Sequence, residues 1–348
     1  METERLLNWY ETNRRRLPWR EEPTPYHVWI SEIMLQQTRV EAVKPYYARF
    51  LGALPDIAAL ARVPEDELMK LWEGLGYYSR ARNLKRAARV IMEEYGGEMP
   101  ADATELEKLP GIGSYTAGAI ASIAFGACAP AVDGNALRIW TRMKTDTRDI
   151  AKEATKRTIR GEIAAILPRD PFAAGRFNQA LMDLGATICL PNRAPRCAEC
   201  PLSDLCRAHG EGRETDFPVM AKKKPRRIEE RTILLIEDEG CVVLRKRPAR
   251  GLLAGLYELP GLDGYLTEKE VLAWCRTQGI EALQITPLPA AKHIFTHIEW
   301  RMIGYRVRVD ALSKFVPEKW DGLLADKEAI ATRYSVPCAF SNYILYIT

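Results

Sequence analysis

A chain of 348 residues is long enough for two domains, each with its own core. With 47% hydrophobic and 28% charged residues it has the composition of an ordinary soluble globular protein, and no apolar run approaches the length of a membrane span. A net charge of +4 is only mildly basic, so nucleic acid is allowed as a partner but not demanded by the bulk charge. The opening METERLLNWYETNRRR is too polar for a signal peptide, which points to a cytosolic protein. In that compartment eight cysteines favour metal or cluster ligation over disulfides.

In chain order, an amphipathic helix carrying Leu6, Leu7, Trp9 and Tyr10 ends before RRRLPWR, where Pro18, Pro23 and Pro25 keep the backbone extended. YHVWISEIMLQQTRVEAV reads as one strongly helical segment. On a 3.6-residue period its Glu32 shares a face with Val28, Trp29, Leu35 and Gln36. A carboxyl on so apolar a face either looks into a cleft or has its pKa raised by desolvation, although a solvated helix glutamate is the commoner case. Helices continue through 54–95. Within them Gly74 and Gly76 form a loop tip presenting Tyr77 and Tyr78, followed by Arg80, Arg82, Lys85 and Arg86. Aromatic residues beside basic ones suit stacking on bases and contact with phosphates. Core tyrosines beside a solvated basic helix explain the pattern nearly as well.

The stretch that organises the rest is LEKLPGIGSYTAGAIASIAFGACAPAVDGNALR, residues 106–138. It reads as a short helix, a tight LPGIG turn, a second helix and a loop carrying Asp133. Gly111 and Gly113 allow a turn in which side chains would collide. The N–H groups of the turn and of the next helix's first turn, from Ser114 on, then make a ready phosphate site. Ala117, Gly118 and Ala121 let this second helix pack closely. Further on, CLPNRAPRCAECPLSDLC supplies Cys189, Cys197, Cys200 and Cys206, four thiols able to converge on one tetrahedral site holding iron–sulfur or zinc. Zinc ribbons usually carry two CxxC pairs; this array has one, flanked by longer loops. Arg193, Arg196 and Arg207 around the loop suggest that a centre held there supports contact with nucleic acid. Cys128, Cys241, Cys275 and Cys338 are scattered and read as small core residues.

Residues 1 to about 213 are thus helical; 214–228, ETDFPVMAKKKPRRI, form a polar, basic linker whose KKKPRR run is a solvated charge block or, in a nucleic-acid enzyme, a contact along the backbone. From 229 to 348 strands alternate with a few helices. A β-hairpin turns at Asp238–Gly240, a helix lies near 267–278, a strand runs through TPLPAAKHIFTHIEWRMIGYRVRV, and a helix ends the chain.

These motifs resemble the MutY-type adenine DNA glycosylases of the helix-hairpin-helix, iron–sulfur superfamily, over nearly the whole chain. The resemblance implies a multidomain protein. An all-α glycosylase domain spans 1–213, with the hairpin at about 106–126 and a [4Fe–4S] loop at 189–206. The linker 214–228 and an α+β Nudix-like recognition domain at 229–348 follow. The loop departs from the family in one place: LPNRAPR makes the first cysteine gap seven residues where six is usual. An extra loop residue is readily absorbed. LTEKEVLAWCRTQGI lacks the glutamate-rich REx₂EE core of working Nudix hydrolases, so the second domain reads rather than hydrolyses.

The resemblance also assigns roles. Glu32, ahead of MLQQT, matches the catalytic glutamate, Asp133 the acidic residue after the hairpin, and Tyr115 a residue bonded to the catalytic carboxyls; Asn135 orients one of them. Leu17, Trp19, Arg20, Gln179 and Met182 match the adenine pocket, Gln179 standing where glutamate is common. Gln37 and Tyr77 match residues wedged into the duplex, while Gly111, Gly113 and Ser114 belong to the DNA-binding hairpin. Phe295–Thr296–His297 matches the loop that touches 8-oxoguanine, threonine replacing the usual serine. Cleaving a purine N-glycosidic bond needs an acid for the leaving base and an anion near the sugar, a two-carboxylate problem, and the base must first leave the stack. Superfamily members that also cut the strand carry a lysine where Tyr115 stands, and a phenol cannot form the Schiff base.

The expected function is therefore monofunctional removal of adenine opposite 8-oxoguanine or guanine in double-stranded DNA, in base excision repair. The expected enzyme is a cytoplasmic, nucleoid-associated monomer holding a [4Fe–4S] cluster and needing no membrane. The enzymatic rival is an endonuclease III-like pyrimidine-damage glycosylase/lyase. A catalytically silent, cluster-bearing DNA sensor and a Nudix nucleotide hydrolase are the other classes.

Overall fold

The computed structural model describes residues 2–191, 193–221, 225–310, 312 and 322–347; the three lysines of the basic linker and Asn192 of the cysteine loop lie outside them. The chain divides into two compact units. The first joins the residues up to Arg62 with those from Arg82 to the linker; the second joins Val63–Ala81 with the C-terminal part.

The first unit is helical throughout its described residues, apart from loops and 3₁₀ turns. It opens with α1 (Glu2–Asn13), α2 (Pro18–Glu21), α3 (Pro25–Leu35), α4 (Val40–Ala53) and α5 (Ile57–Arg62). Two expectations change here. Pro18 and Pro25 do not hold the chain extended but open α2 and α3 at their first helical positions, where a missing N–H costs nothing. The long helix through MLQQT is broken: Gln37 takes a left-handed conformation (φ 59°), ending α3 before α4 begins. No glycine or proline marks that break.

After α6 (Glu65–Trp72), which belongs to the second unit, come α7 (Ser79–Glu94), α8 (Ala103–Leu106) and α9 (Ser114–Ala124). α8, the turn and α9 form the expected hairpin. Gly111 is required there: its φ is 80°, and a Cβ would stand 2.6 Å from the Asn83 side chain. Gly113 plays another part, because nothing lies within 4 Å of where its Cβ would be. Glycine at that position leaves the helix start open instead of relieving a collision. At Gly118 a Cβ would fall 2.1 Å from the Pro130 carbonyl oxygen, so α9 packs against the chain leading to Asp133.

The unit closes with α10 (Gly134–Lys144), α11 (Glu153–Ile166), α12 (Ala173–Thr187), the cysteine loop and α13 (Arg207–Gly210). Leu6 and Tyr10 of α1, Leu137 and Trp140 of α10 and Phe177 and Leu184 of α12 share one buried core, against which Cys189 and Cys200 pack.

Among its described residues the C-terminal part is built on a seven-stranded sheet: β1 (Arg227–Asp238), β2 (Cys241–Lys246), β3 (Tyr257–Glu258), β4 (Gly261–Asp263), β5 (Ala282–Ile294), β6 (Ile298–Val309) and β7 (Gly322–Ala325). β1 pairs with β6 in parallel and with β2 as the expected hairpin. Its continuous run Ile233–Ile236 is buried on both faces, as a central strand requires. Ile233 and Leu235 face α15 (Lys327–Thr332) and α16 (Ser341–Ile344), while Leu234 and Ile236 face α14 (Glu268–Thr277). The single long strand expected from 286 to 309 is instead the antiparallel hairpin of β5 and β6, turning at 295–297. The Phe295 N–H bonds the Ile298 carbonyl at 2.8 Å, closing a three-residue loop without glycine or proline. Of the four scattered cysteines only Cys275 is buried; Cys128 and Cys338 are exposed and Cys241 is partly so.

Candidate active site

A cavity of about 310 Å³ in the first unit is lined by Glu32, Tyr115, Asp133 and Asn135 together with Leu17, Trp19, Arg20, Gln179 and Met182. All four residues expected to do the chemistry and all five expected to line a base pocket thus share one space.

Five elements supply the expected groups, α2 and its N-cap bringing Leu17, Trp19 and Arg20. α3 carries Glu32, which is 5% exposed in a helix whose other buried residues, Ser31 apart, are hydrophobic. Tyr115 is the second residue of α9, and its hydroxyl donates to Glu32 Oε2 at 2.5 Å. Asp133 is the N-cap of α10: Oδ1 accepts the Ala136 N–H at 2.8 Å and Oδ2 accepts Asn135 Nδ2 at 2.6 Å. Capping and a place in the cavity are therefore filled by one side chain. α12 contributes Gln179 and Met182, and Gln179 Oε1 accepts the Tyr10 hydroxyl at 3.2 Å.

The two carboxyls sit in unlike surroundings. Burial pushes Glu32 up to about 7; the Tyr115 bond and Arg20 pull it down, and Asp133 pushes it up further. Burial also raises Asp133, but the Ala136 N–H, Asn135 and Arg138 all favour its anion. Glu32 has one hydroxyl donor and Asp133 has a cap and an amide, so Glu32 is the carboxyl that holds a proton longer. Burial raises the Tyr115 phenol well above its ordinary value, and the two neighbouring carboxyls add to this, so it stays a neutral donor.

Behind Asp133 the bonds continue. Arg138 Nη2 donates to Asn135 Oδ1 at 2.9 Å and to the Gly185 carbonyl at 2.8 Å, and its Nε donates to the Cys189 carbonyl at 2.8 Å. Arg142, 4% exposed, donates to Cys189 Sγ at 3.1 Å. A buried guanidinium resting on a sulfur is well placed for a thiolate ligand and poorly placed for a neutral thiol. Burial pushes Cys197 up to about 12 and Cys200 to about 11, and the neighbouring cysteines add to both shifts. Thiols raised as far as Cys197 and Cys200 give up their protons most readily to a cation bound beside them. The donor set therefore fits a metal centre. Cys197, His209 and Glu214 also lie with their ligand atoms within 4.8 Å of one another, a combination that would suit zinc. Arg196 is paired with Glu199.

The remaining expected residues lie outside this cavity. Gln37 is exposed in the left-handed break after α3. Tyr77 and Tyr78 part company: Tyr77 is 45% exposed at φ 47°, whereas Tyr78 is buried. Within the second unit the Tyr77 hydroxyl lies 3.1 Å from Thr296 Oγ1, so two motifs far apart in sequence meet. Thr296 and His297 are exposed, and Phe295 packs edge-on against Trp300 with ring centroids 4.9 Å apart. Gly111, Gly113 and Ser114 stand at the turn and start of α9.

Two features carry little sequence signal. Asp183, whose side chain is fully buried, bonds both Arg15 and Arg20. Its only trace in the sequence is a carboxylate in the apolar run ALMDLGA, one helical turn beyond Gln179. A second, polar cavity of about 690 Å³ shares Arg15, Leu17, Arg20, Ile123 and Gln179 with the first.

Comparison with known proteins gives concordant results. Residues 30–164 match the family described as HhH-GPD superfamily base excision DNA repair protein, and residues 231–345 match the NUDIX domain. Adenine DNA glycosylase of Mus musculus is 36% identical over 88% of this chain and 70% of its own length. That of Buchnera aphidicola subsp. Baizongia pistaciae is 35% identical over 84% and 82%. Among solved structures, a thermostable thymine-DNA glycosylase is 30% identical with a TM-score of 0.54, over 60% of this chain and 95% of that one. A trapped endonuclease III–DNA covalent intermediate is 25% identical with a TM-score of 0.52, over 61% and 94%. No helix among the described residues is long and apolar enough to cross a membrane.

Proposed function

Since the chain belongs to the adenine DNA glycosylase family, we propose that it removes adenine paired with 8-oxoguanine or guanine, as a monofunctional enzyme acting on duplex DNA. The observation that carries this reading is the pairing of Glu32 and Asp133 in one cavity with the Tyr115 hydroxyl on Glu32.

The extruded base occupies the cavity among Leu17, Trp19, Arg20, Gln179 and Met182. Protonated Glu32 donates to the purine ring nitrogen as the glycosidic bond lengthens, and Asp133, held ionised by its cap and by Asn135, faces the positive charge growing on the sugar. Glu32, once ionised, takes a proton from the water that completes hydrolysis. Gln179 bonds the base edge through its amide, which orients but cannot protonate. Gln37 and Tyr77 support the opened duplex, the hairpin at Gly111, Gly113 and Ser114 grips a phosphate, and Phe295, Thr296 and His297 read the opposite base. Exposure of Tyr77 and Thr296 in one unit, with their hydroxyls adjacent, favours that last assignment.

Cys189, Cys197, Cys200 and Cys206 would hold a [4Fe–4S] cluster, which would brace the loop after α12 and through it Arg138 and Asn135, while the steps of hydrolysis run through Glu32 and Asp133. Purified protein is expected to contain about four irons per chain and no stoichiometric zinc, measured by elemental analysis. One zinc and no iron per chain would favour the Cys197–His209–Glu214 combination instead.

The activity itself is tested with a duplex bearing one A:8-oxoG pair, incubated with and without alkali. Strand breaks are expected only after alkali. Efficient breakage without alkali favours the endonuclease III-like glycosylase/lyase reading. Tyr115→Lys places an amine where the phenol stands, and some borohydride-trappable complex with the DNA is expected from it. A folded variant yielding no trapped complex contradicts the reading that Tyr115 stands where the lyase members carry their lysine.

A further inference from the structure

Arg15 and Arg20 both line the base cavity, and both are tied to one carboxylate that does not line it. Asp183 Oδ1 accepts Arg15 Nε at 2.7 Å and Arg20 Nη2 at 3.0 Å; Oδ2 accepts Arg20 Nη1 at 2.7 Å and the Arg15 backbone N–H at 3.0 Å. Each oxygen thus takes two bonds, and the carboxylate is fully used. Arg20 continues the chain, standing 5.7 Å from the centroid of the Tyr10 ring, whose hydroxyl bonds Gln179.

We propose that Asp183 is a positioning residue for base release: it fixes Arg15 and Arg20 in the cavity wall and cancels one of the two positive charges they bring toward Glu32. The proposal rests on the reading of Glu32 as the acid. A proton must stay on Glu32 until the base departs, and every cation nearby opposes that. The groups facing Glu32 are the Tyr115 phenol from α9, Asp133 at the cap of α10, Arg20 from α2, and Arg15 and Arg39 from the loops lining the cavity; Gln179 and Met182 from α12 are uncharged. Arg138 stands behind Asp133. With Asp183 present, the Arg15–Arg20–Asp183 group carries a net charge of one. Without it the same wall carries two, on side chains that are only partly exposed to screening solvent.

The test is single-turnover base release from a preformed complex with an A:8-oxoG duplex, followed across pH. Wild type is expected to lose rate above a limiting pH. In Asp183→Asn that descending limb moves to lower pH by about one unit, so the rate on the limb falls about ten-fold at a given pH. Adding Arg15→Met to Asp183→Asn restores a net charge of one and brings the limb back. A purely structural Asp183 would instead slow release equally at all pH, with the limb in place, and that result overturns the proposal. Asp183→Asn leaves two half-buried cations without their anion, a costly change. Should it not fold, the comparison is made between Arg15→Met and Arg15→Met with Asp183→Asn, where one cation remains; coincident limbs there are equally fatal. Absence of any descending limb in wild type counts against Glu32 as the acid, a different failure from a wild-type limb that Asp183→Asn does not move.

Discussion

Glu32→Gln is expected to bind an A:8-oxoG duplex normally and to release adenine at least about 1,000-fold more slowly, a loss at the upper part of the range for a positioned acid. The amide oxygen can still accept the Tyr115 hydroxyl bond, so the cavity keeps its shape while the transferable proton is gone. The same substitution is expected to stabilise the fold at alkaline pH. In the folded protein the Glu32 carboxyl titrates at about 7, against an ordinary value of 4.5. A group raised in this way contributes its full stability below about pH 4.5 and loses it as pH climbs through about 7, a difference on the order of 3 kcal/mol by linkage. Glutamine never ionises, so Glu32→Gln should melt several degrees above wild type at about pH 8, with the gap closing toward about pH 5. Thermal melts at the two pH values, run beside single-turnover assays, check both halves. Activity within ten-fold of wild type would remove Glu32 from the reaction, and a melting gap independent of pH would remove the buried proton.

Asp133 has two duties, and two substitutions separate them. Asparagine is as good an N-cap as aspartate, so Asp133→Asn should keep the start of α10 and most of the stability. It loses the anion, and base release should fall about 100-fold to 1,000-fold, the cost typical of removing one electrostatic contact to a transition state. Asp133→Ala loses both, adding about 0.5–2 kcal/mol of destabilisation for the missing cap. Rates and melting curves for the pair decide the matter. An asparagine variant with unimpaired rate would leave Asp133 as a helix cap and nothing more.

Much of this site is visible in the sequence because each signal is local. Glu32 stands out as a carboxylate among Val28, Trp29 and Leu35, and the LPGIG turn with Asp133 after it has a spacing that few helical bundles need. The cysteine array declares a metal-ligand set by composition, without choosing between iron–sulfur and zinc. What stays hidden depends on contacts across the chain or on turns without their usual residues. Asp183 meets partners 163 and 168 positions away. The break at Gln37 and the hairpin loop at Phe295–His297 use left-handed or tight backbone without glycine or proline, so a helix and a strand seem to run on. Tyr78 cannot be told from Tyr77 until the positive φ of Tyr77 turns one ring outward and leaves the other in the core. Pro18 is ambiguous in principle, since the same fixed φ serves an extended chain and the first position of a helix.

The most direct test of a protonated Glu32 working beside an ionised Asp133 is the pH dependence of base release in wild type, measured in a preformed enzyme–DNA complex from about pH 5 to about pH 9. A rate that is level at the acid end and then drops about ten-fold per pH unit above about 7 is the expected result. A rate that stays level, or rises, through about pH 9 would contradict it.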